Sequence, residues 1–381
     1  MLLSIALAAQ DHPAAFRDFA LSNRTPEGSR VLQARIYYPG LAAGQDAALR
    51  PQAGGYPVYL FLHGMGSYGS AYKQVAEPLT RAGYVVVLAD TALTDGALQY
   101  KDSIATLPSL AAENQDPQSF FHGALDLTRA GIGGYSMGGM TALRVLSTNC
   151  GYRVGFGHAA VAGRYYGPLE GVNCRQPFAL VHGLGDTLEP IEGAYAWWQG
   201  GTNATGQRVL YVMNQECNHI NVASVPALPD LPIFERTMRV CRGFLDAHLK
   251  GDATGLAEVL GAPARTEPRL VAIAAGVERP ALLVERSGRA ARITGIAEPG
   301  PLFLTASLAR ARVPTPFGEF LLDPAFLIPL ATPIVDAGRA VFLELTLPEI
   351  QGLSGFPLPI QALGLSSAGA PRFTEAPALV F

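Results

Sequence analysis

Residues 131–146 read GIGGYSMGGMTALRVL, and this stretch decides the predicted fold. It begins as a short apolar, Gly-rich run typical of a strand buried on both faces, and from Met137 onward its apolar spacing predicts a helix. Between the two, Ser136 has one glycine two residues before it and another two residues after it. Such glycines let the backbone close into a strained strand-to-helix turn with the serine at its tip.

Strand and helix patterns alternate on both sides of this turn. Apolar runs predict strands, and helical spacing predicts helices at 71–82 and 234–249. The predicted strands are 31–38, 57–62, 84–89, 131–135, 159–163, 177–182 and 208–214. Strands that alternate with helices imply an α/β fold, in which a mostly parallel sheet is flanked by helices.

The pattern changes after Gly251. From there the apolar runs are short and broken by Pro and Gly, and the segment contains no lysine and no histidine. We therefore expect a catalytic α/β domain over residues 11–262. A smaller β-rich accessory domain, a sandwich or a barrel-like module, is expected over 263–381.

The turn at Ser136 matches G-x-S-x-G, the pattern of a nucleophile elbow. A serine nucleophile needs a base and an acid that follow it in the order Ser, Asp/Glu, His. Asp186 comes after the predicted strand 177–182, and His219 comes after 208–214. We expect Ser136, Asp186 and His219 to form the triad. Glu189 is the fallback acid, and Glu192 is expected on the next helix.

Two backbone amides are the expected oxyanion hole. One comes from the loop His63-Gly64-Met65-Gly66, which follows the predicted strand 57–62. The other comes from the residue after the nucleophile. These are the N–H groups of Met65 and Met137. His63 is expected to brace the loop. The set predicts acyl transfer through an acyl-enzyme, which requires no metal and no organic cofactor.

These motifs resemble those of the α/β-hydrolase superfamily, and within it the bacterial cutinase, polyester hydrolase, platelet-activating-factor acetylhydrolase and dienelactone hydrolase-like group. The resemblance covers about residues 31–250. It rests on Asp186, His219 and the segments IGGYSMGG (132–139), LHGMG (62–66) and LADT (88–91). It implies the α/β-hydrolase fold, secretion, and hydrolysis of esters, including polyesters such as poly(ethylene terephthalate). The chain departs from those cutinases at Met65, where they have an aromatic residue, at Tyr135, where they have histidine, and in its extra C-terminal domain.

Other functions remain open at this point. The same triad would serve a lipase, a thioesterase or an acetyl esterase. A polymer- or cell-surface-binding protein that works through the β domain is an alternative from another class. The formal net charge of −3 and the lack of a basic stripe argue against a nucleic-acid partner.

Aromatic residues near the motifs are candidates for the substrate pocket. We expect Tyr68, Tyr165, Tyr166 and Trp197 to contact substrate, although ordinary core packing explains such residues as well. Trp198 is adjacent to Trp197, and helix geometry points the two rings in different directions. At most one of them is therefore expected to line a site.

The remaining predictions concern compartment and assembly. The apolar run Leu2–Ala9 is too short to span a bilayer, and residues 1–10 fit either a signal-peptide remnant or a frayed or helical N-terminus. The four cysteines, Cys150, Cys174, Cys217 and Cys241, lack metal-site spacing and favour two disulfides, paired sequentially. Four buried thiols are the alternative. We expect a secreted or periplasmic monomer without a membrane span.

Overall fold

The computed structural model describes most of the chain. The described residues are 11–25, 28–148, 151–160, 174, 176–200, 208–223, 231–252, 255, 258–259, 267–275, 281–287, 290–335, 340–346, 357–365, 371–374 and 378–380. The predicted signal remnant at 1–10 lies outside them. Within these residues, no helix has both the length and the apolar character needed to cross a membrane.

The chain divides into two compact units. The first comprises residues 1–206 and 217–265, and the second comprises 207–216 and 266–381. The elements of the first unit are β1 (Ala14–Thr25), β2 (Gly28–Pro39), β3 (Gly44–Gln45), β4 (Tyr56–Leu62), α1 (Lys73–Arg81), β5 (Val85–Ala89), α2 (Gly96–Gln115), β6 (Leu125–Tyr135), α3 (Met137–Leu146), β7 (Val154–His158), β8 (Phe178–Gly183), α4 (Ile191–Gly200) and α5 (Leu231–Leu249).

The strands of the first unit lie in one sheet, in the order β3-β1-β2-β5-β4-β6-β7-β8. The pairings from β5 through β8 are parallel, and those of β2 with β1 and with β5 are antiparallel. Every residue of β4, β5, β7 and β8 is buried. This agrees with the continuous apolar runs of β4, β5 and β8, because a strand covered on both faces has no solvent-facing side. The predicted mixed α/β architecture with a large, mostly parallel sheet is confirmed.

Helices cover both faces of this sheet. A Cβ added at Gly155 or Gly157 would meet Leu146 or Leu180, so α3, which carries Leu146, lies over that face. Phe156, between these glycines, points to the other face and packs against Phe244 of α5. Because side chains alternate along a strand, α3 and α5 lie on opposite faces. The carboxyl ends of the parallel strands are left open to the loops that follow them.

The structure corrects one strand and adds three elements. Residues 159 and 160 of the predicted strand 159–163 belong to the described residues, and for them the prediction is wrong. The strand β7 ends at His158, and Ala159 takes a positive φ of 42°. Residues 161–163 lie outside the described residues. The strands β1 and β3 and the helix α2 were not predicted, whereas α4 is the helix on which Glu192 was expected.

The second unit is built from strands. They are β9 (Arg208–Met213), β10 (Leu270–Ala275), β11 (Ala281–Ser287), β12 (Ala290–Ile296), β13 (Glu298–Ser307), β14 (Arg310–Thr315), β15 (Gly318–Leu322), β16 (Leu327–Ala331), β17 (Ile334–Val335), β18 (Ala340–Thr346), β19 (Pro357–Leu365), β20 (Pro371–Phe373) and β21 (Ala378–Val380).

Apolar side chains of these strands form a core of their own. β9 pairs with β10. Further along, β11-β12-β18 form one sheet and β16-β13-β19-β20 another. The inward side chains of both, among them Ile293, Leu304 and Ile360, form one buried cluster. The predicted roles of 11–262 and 263–381 as catalytic and accessory domains stay predictions.

Candidate active site

Ser136 occupies a strained turn at the carboxyl end of β6. It lies between Tyr135, the last residue of β6, and Met137, the first of α3, with φ 54° and ψ −121°. A positive φ is uncommon for a residue with a side chain, and such strain persists only where the surroundings enforce it. Part of that constraint is a hydrogen bond, since the Ser136 N–H donates to the His158 carbonyl at 3.0 Å.

The two glycines that flank Ser136 are required by close backbone contacts. A Cβ at Gly134 would lie 2.6 Å from the Leu62 carbonyl oxygen, and one at Gly138 would lie 2.5 Å from the His63 carbonyl oxygen. Both distances are shorter than real Cβ contacts allow. The G-x-S-x-G pattern is therefore the local sequence that this packing of β6 and α3 against the end of β4 demands.

The structure brings Ser136, His219 and Asp186 into one hydrogen-bonded chain. His219 Nε2 lies 2.9 Å from Ser136 Oγ, and His219 Nδ1 lies 2.7 Å from Asp186 Oδ2. A carboxylate can only accept, so Nδ1 carries the proton and Nε2 is free to accept one from the serine hydroxyl. This arrangement can deprotonate Ser136 while the carboxylate stabilises the imidazolium that results.

Asp186 is held by the turn that follows it. Its Oδ1 accepts hydrogen bonds from the N–H groups of Leu188 at 3.1 Å and Glu189 at 2.8 Å. These bonds leave Oδ2 turned toward His219. The fallback acid, Glu189, supports the hydrogen-bonded chain through its backbone. Its N–H donates to Asp186, and its carbonyl oxygen lies 2.7 Å from His182 Nε2.

His182 of β8 lies behind this acid. Its Nε2 is 3.4 Å from Asp186 Oδ2, and the ring is buried. Burial is the largest influence on the pKa of His182 and lowers it, although the Asp186 carboxylate acts in the opposite direction. A neutral ring that donates Nε2–H to the Glu189 carbonyl explains both contacts and supports the Asp186 turn from inside.

A compact loop carries His219. The Asn218 side chain accepts from the Ile220 and Asn221 N–H groups at 2.9 and 3.1 Å, which closes the loop locally. The loop is joined to the Asp186 turn because the Gly185 N–H donates to the Cys217 carbonyl at 3.0 Å. His219 and Asp186 therefore lie on two loops that share a backbone hydrogen bond.

The loop after β4 lies beside Ser136. A Cβ added at Gly64 would lie 3.5 Å from Ser136 Cβ. Neither the Met65 N–H nor the Met137 N–H donates to any residue in the part of the chain that the structure describes. An oxyanion at Ser136 would need two such amide donors, and one of these lies on the residue after Ser136 and the other on the residue after Gly64. The Met65 side chain is half exposed and that of Met137 is buried.

Two tyrosines contribute to this region in a way that sequence reasoning missed. The Tyr135 ring lies 5.1 Å from the His219 ring, centroid to centroid, and burial raises its pKa well above the usual range. The Tyr72 hydroxyl accepts the Gly64 N–H at 3.3 Å. Tyr135 was visible as a residue of the G-x-S-x-G motif, but no sequence signal pointed to Tyr72.

Of the four predicted substrate-binding aromatics, Tyr68 and Trp197 belong to the described residues, and among those residues neither has a hydrogen bond or ring contact with Ser136. Tyr68, which follows the oxyanion loop, is 55% exposed, whereas Trp197 of α4 is 2% exposed. Trp198 is also buried and stacks on Tyr195. Tyr165 and Tyr166 lie outside the described residues. The substrate-binding role of all four predicted residues stays a prediction.

The buried cysteines include Cys174 and Cys241, which are free thiols. Cys174 and Cys241 belong to different predicted pairs, and neither carries a disulfide in the structure. Burial raises the pKa of Cys174 to about 12 and that of Cys241 further. Cys150 lies outside the described residues, so the disulfides stay a prediction that peptide mapping has to test.

Comparison with known proteins does not name a family. No protein-family model matches the chain, and no curated protein matches it either.

Proposed function

We propose that this protein is a serine hydrolase of carboxylic esters that works through an acyl-enzyme. One observation carries the proposal: the chain Asp186–His219–Ser136, with contacts of 2.7 and 2.9 Å, ends on a serine held at a positive φ between a strand and a helix. A histidine that only satisfies its hydrogen bonds in the core does not require a strained serine beside it. A strained turn at a serine does not require a histidine with a buried carboxylate behind it. Nucleophilic catalysis requires both.

The reaction follows from these positions. His219 Nε2 takes the Ser136 proton as Oγ attacks the ester carbonyl carbon, and the carbonyl oxygen becomes an oxyanion facing the Met65 and Met137 amides. His219 then gives its proton to the departing alcohol, which leaves an acyl group on Ser136. Water, deprotonated by the same histidine, attacks the acyl-enzyme and releases the acid. The described residues supply every group that moves a proton.

The sheet supports assignment to the α/β-hydrolase fold as part of this proposal. Ser136 follows the central strand β6, and Asp186 follows β8, two strands along the same edge of the parallel sheet. Ligand sites of open parallel sheets lie at this carboxyl edge. With the resemblance of residues 31–250 to bacterial cutinases, this favours a cutinase- or polyester-hydrolase-like enzyme. A secreted or periplasmic location belongs to the same proposal.

Attachment to an insoluble polyester is a second candidate function, which one surface of the second unit favours. Phe303, Leu363 and Phe373 lie directly opposite one another on β13, β19 and β20, so they share a face. Phe303 is 48% exposed, and Phe320 lies 5.1 Å from Phe373. One exposed phenylalanine beside partly buried apolar side chains suits contact with an uncharged polymer surface. Phe303→Ser should weaken adsorption to polyester film, whereas Leu41→Ser, at an exposed apolar residue of the first unit, should not.

A fluorophosphonate probe and an ester panel test the main proposal. The wild-type protein should be labelled on Ser136 and should hydrolyse p-nitrophenyl esters, with acyl chains from acetyl to palmitoyl compared and polyester film run alongside. Ser136→Ala should keep the fold, by circular dichroism, and lose both labelling and turnover. Hydrolysis by Ser136→Ala at the wild-type rate would overturn the proposal. The panel separates a short-chain esterase from a lipase.

A further inference from the structure

A chain of buried side chains leads from helix α2 to the oxyanion loop. The Gln99 amide Nε2 donates to Thr91 Oγ1 at 2.9 Å and to the His63 carbonyl at 3.2 Å. Thr91 Oγ1 lies 2.9 Å from His63 Nε2. His63 and Gln99 are completely buried, and Thr91 is nearly so. None of these three side chains contacts the triad in the part of the chain that the structure describes.

The direction of every bond in this chain is determined by chemistry. His63 Nδ1 lies 2.8 Å from the Gly64 carbonyl oxygen, which can only accept, so Nδ1 carries the ring proton. Burial lowers the pKa of His63 and outweighs the Gly64 and Thr91 carbonyls, which raise it, so the ring is neutral and Nε2 is an acceptor. The Thr91 hydroxyl then donates to Nε2 and accepts from Gln99. This assignment pairs the His63 ring, the Thr91 hydroxyl and the Gln99 NH₂ group, and it leaves Gln99 Oε1 without a partner among the described residues.

The chain ends on the peptide bond that carries one of the two oxyanion amides. The Gly64 carbonyl and the Met65 N–H belong to one planar trans peptide and point in opposite directions. A hydrogen bond that fixes the carbonyl therefore fixes the direction of the N–H as well. The neighbouring amides are fixed separately, since Gly64 N–H donates to the Tyr72 hydroxyl and Gly66 N–H donates to the Leu93 carbonyl at 2.7 Å.

We propose that Gln99, Thr91 and His63 are positioning residues that aim the Met65 amide at the oxyanion. This inference rests on the proposed function, because an oxyanion forms only if Ser136 attacks a carbonyl. Gln99 and Thr91 act through His63 and touch neither substrate nor triad. Their substitution lowers the turnover of an ester whose carbonyl oxygen must be bound, while ground-state binding is left in place.

A comparison of an ester with its thionoester tests this assignment. Sulfur is larger than oxygen and a weaker hydrogen-bond acceptor, so a well-aimed amide favours the ester over the thionoester. Loss of an oxyanion donor costs on the order of 10²–10³ in kcat, and a misaimed donor should cost about tenfold or more. Thr91→Val and Gln99→Met should each lower kcat for the ester with little change in KM, and should lower the ester-to-thionoester ratio of kcat. Thr91→Ser, which keeps the hydroxyl, should restore both.

Thr106→Val is the matched control. Thr106 is a buried threonine on α2 whose hydroxyl donates to the Asp102 carbonyl at 2.8 Å and takes no part in the chain. The Thr106→Val variant should keep the wild-type ester-to-thionoester ratio of kcat. A wild-type ratio in both Thr91→Val and Gln99→Met overturns this inference but leaves the proposed function standing. An equal drop of the ratio in Thr106→Val has the same consequence. If Thr91→Val does not fold, Gln99→Met decides the question. Ester turnover by Ser136→Ala at the wild-type rate overturns the proposed function, and the inference with it.

Discussion

Replacing Asp186 by asparagine exchanges one carboxylate oxygen for an NH₂ group and leaves the shape of the side chain unchanged. The structure determines which oxygen is exchanged. Oδ1 accepts from two backbone N–H groups, those of Leu188 and Glu189, and an NH₂ group there would face two donors. The NH₂ group must therefore take the place of Oδ2 and point at His219 Nδ1.

This exchange reverses the donor and acceptor roles between residue 186 and His219. A donor opposite His219 Nδ1 stabilises the tautomer in which Nδ1 is bare and Nε2 carries the proton. That proton then points at Ser136 Oγ, 2.9 Å away, and the ring can no longer accept the serine proton. By analogy with other triads, kcat should fall on the order of 10⁴-fold, or about 5 kcal/mol of transition-state stabilisation. The fold should be unaffected because the bonds to Oδ1 remain.

The assay is the kcat for p-nitrophenyl butyrate, measured with the rate of fluorophosphonate labelling of Ser136. Glu189→Gln is the matched control, since it makes the same chemical change three residues away and keeps the backbone N–H that supports Asp186. It should stay within several-fold of wild type. Asp186→Asn activity within tenfold of wild type would refute this reasoning. A larger loss in Glu189→Gln than in Asp186→Asn would transfer the role of the acid to Glu189.

Three further predictions concern the elbow, pH and the second unit. Gly138→Ala forces a Cβ against two backbone carbonyls and should lower the free energy of unfolding by at least about 2 kcal/mol, measured by denaturant titration. Gly139→Ala should cost less, because its added Cβ would lie 2.9 Å from its nearest neighbour. His158 is buried with its pKa lowered by burial to about 4, against 6.5 when unfolded, so stability should fall by up to about 3 kcal/mol as the pH drops from 6.5 to 4. If His158→Phe keeps the full pH dependence in melts across this range, another group is responsible. Truncation after Ala275 keeps β10 paired with β9, whereas truncation after Ala262 removes β10, so the shorter protein should melt at a lower temperature. Both truncated proteins should hydrolyse a small soluble ester within several-fold of wild type, and a folded but inactive one would show that the second unit is needed for the chemistry.

Local pattern was enough to predict three of the buried strands and the elbow helix, although it misplaced β7. The strands β4, β5 and β8 are continuous apolar runs, and α3 begins directly after Ser136 as its spacing predicts. The helix α2 was missed because it has no apolar stripe: Gln99, Asp102 and Ser103 are as buried as its leucines. Its one local signal was Asp95, whose side chain accepts from the Ala97 and Leu98 N–H groups and caps the helix.

The sequence by itself determined the fold class, the position of Ser136 and the candidates for its acid and base. Periodicity, glycine spacing and chain order are local properties, and each is written directly in the order of residues. Only the tertiary structure decided which carboxylate faces His219, since Asp186 and Glu189 follow the same strand and differ in which of their groups the turn directs toward the ring. It also decided that Gln99, a polar residue on an unpredicted helix, is joined through Thr91 and His63 to the Met65 amide. Those contacts link segments that are distant in sequence, and their hydrogen-bond directions depend on burial, which removes the water that would otherwise satisfy each group.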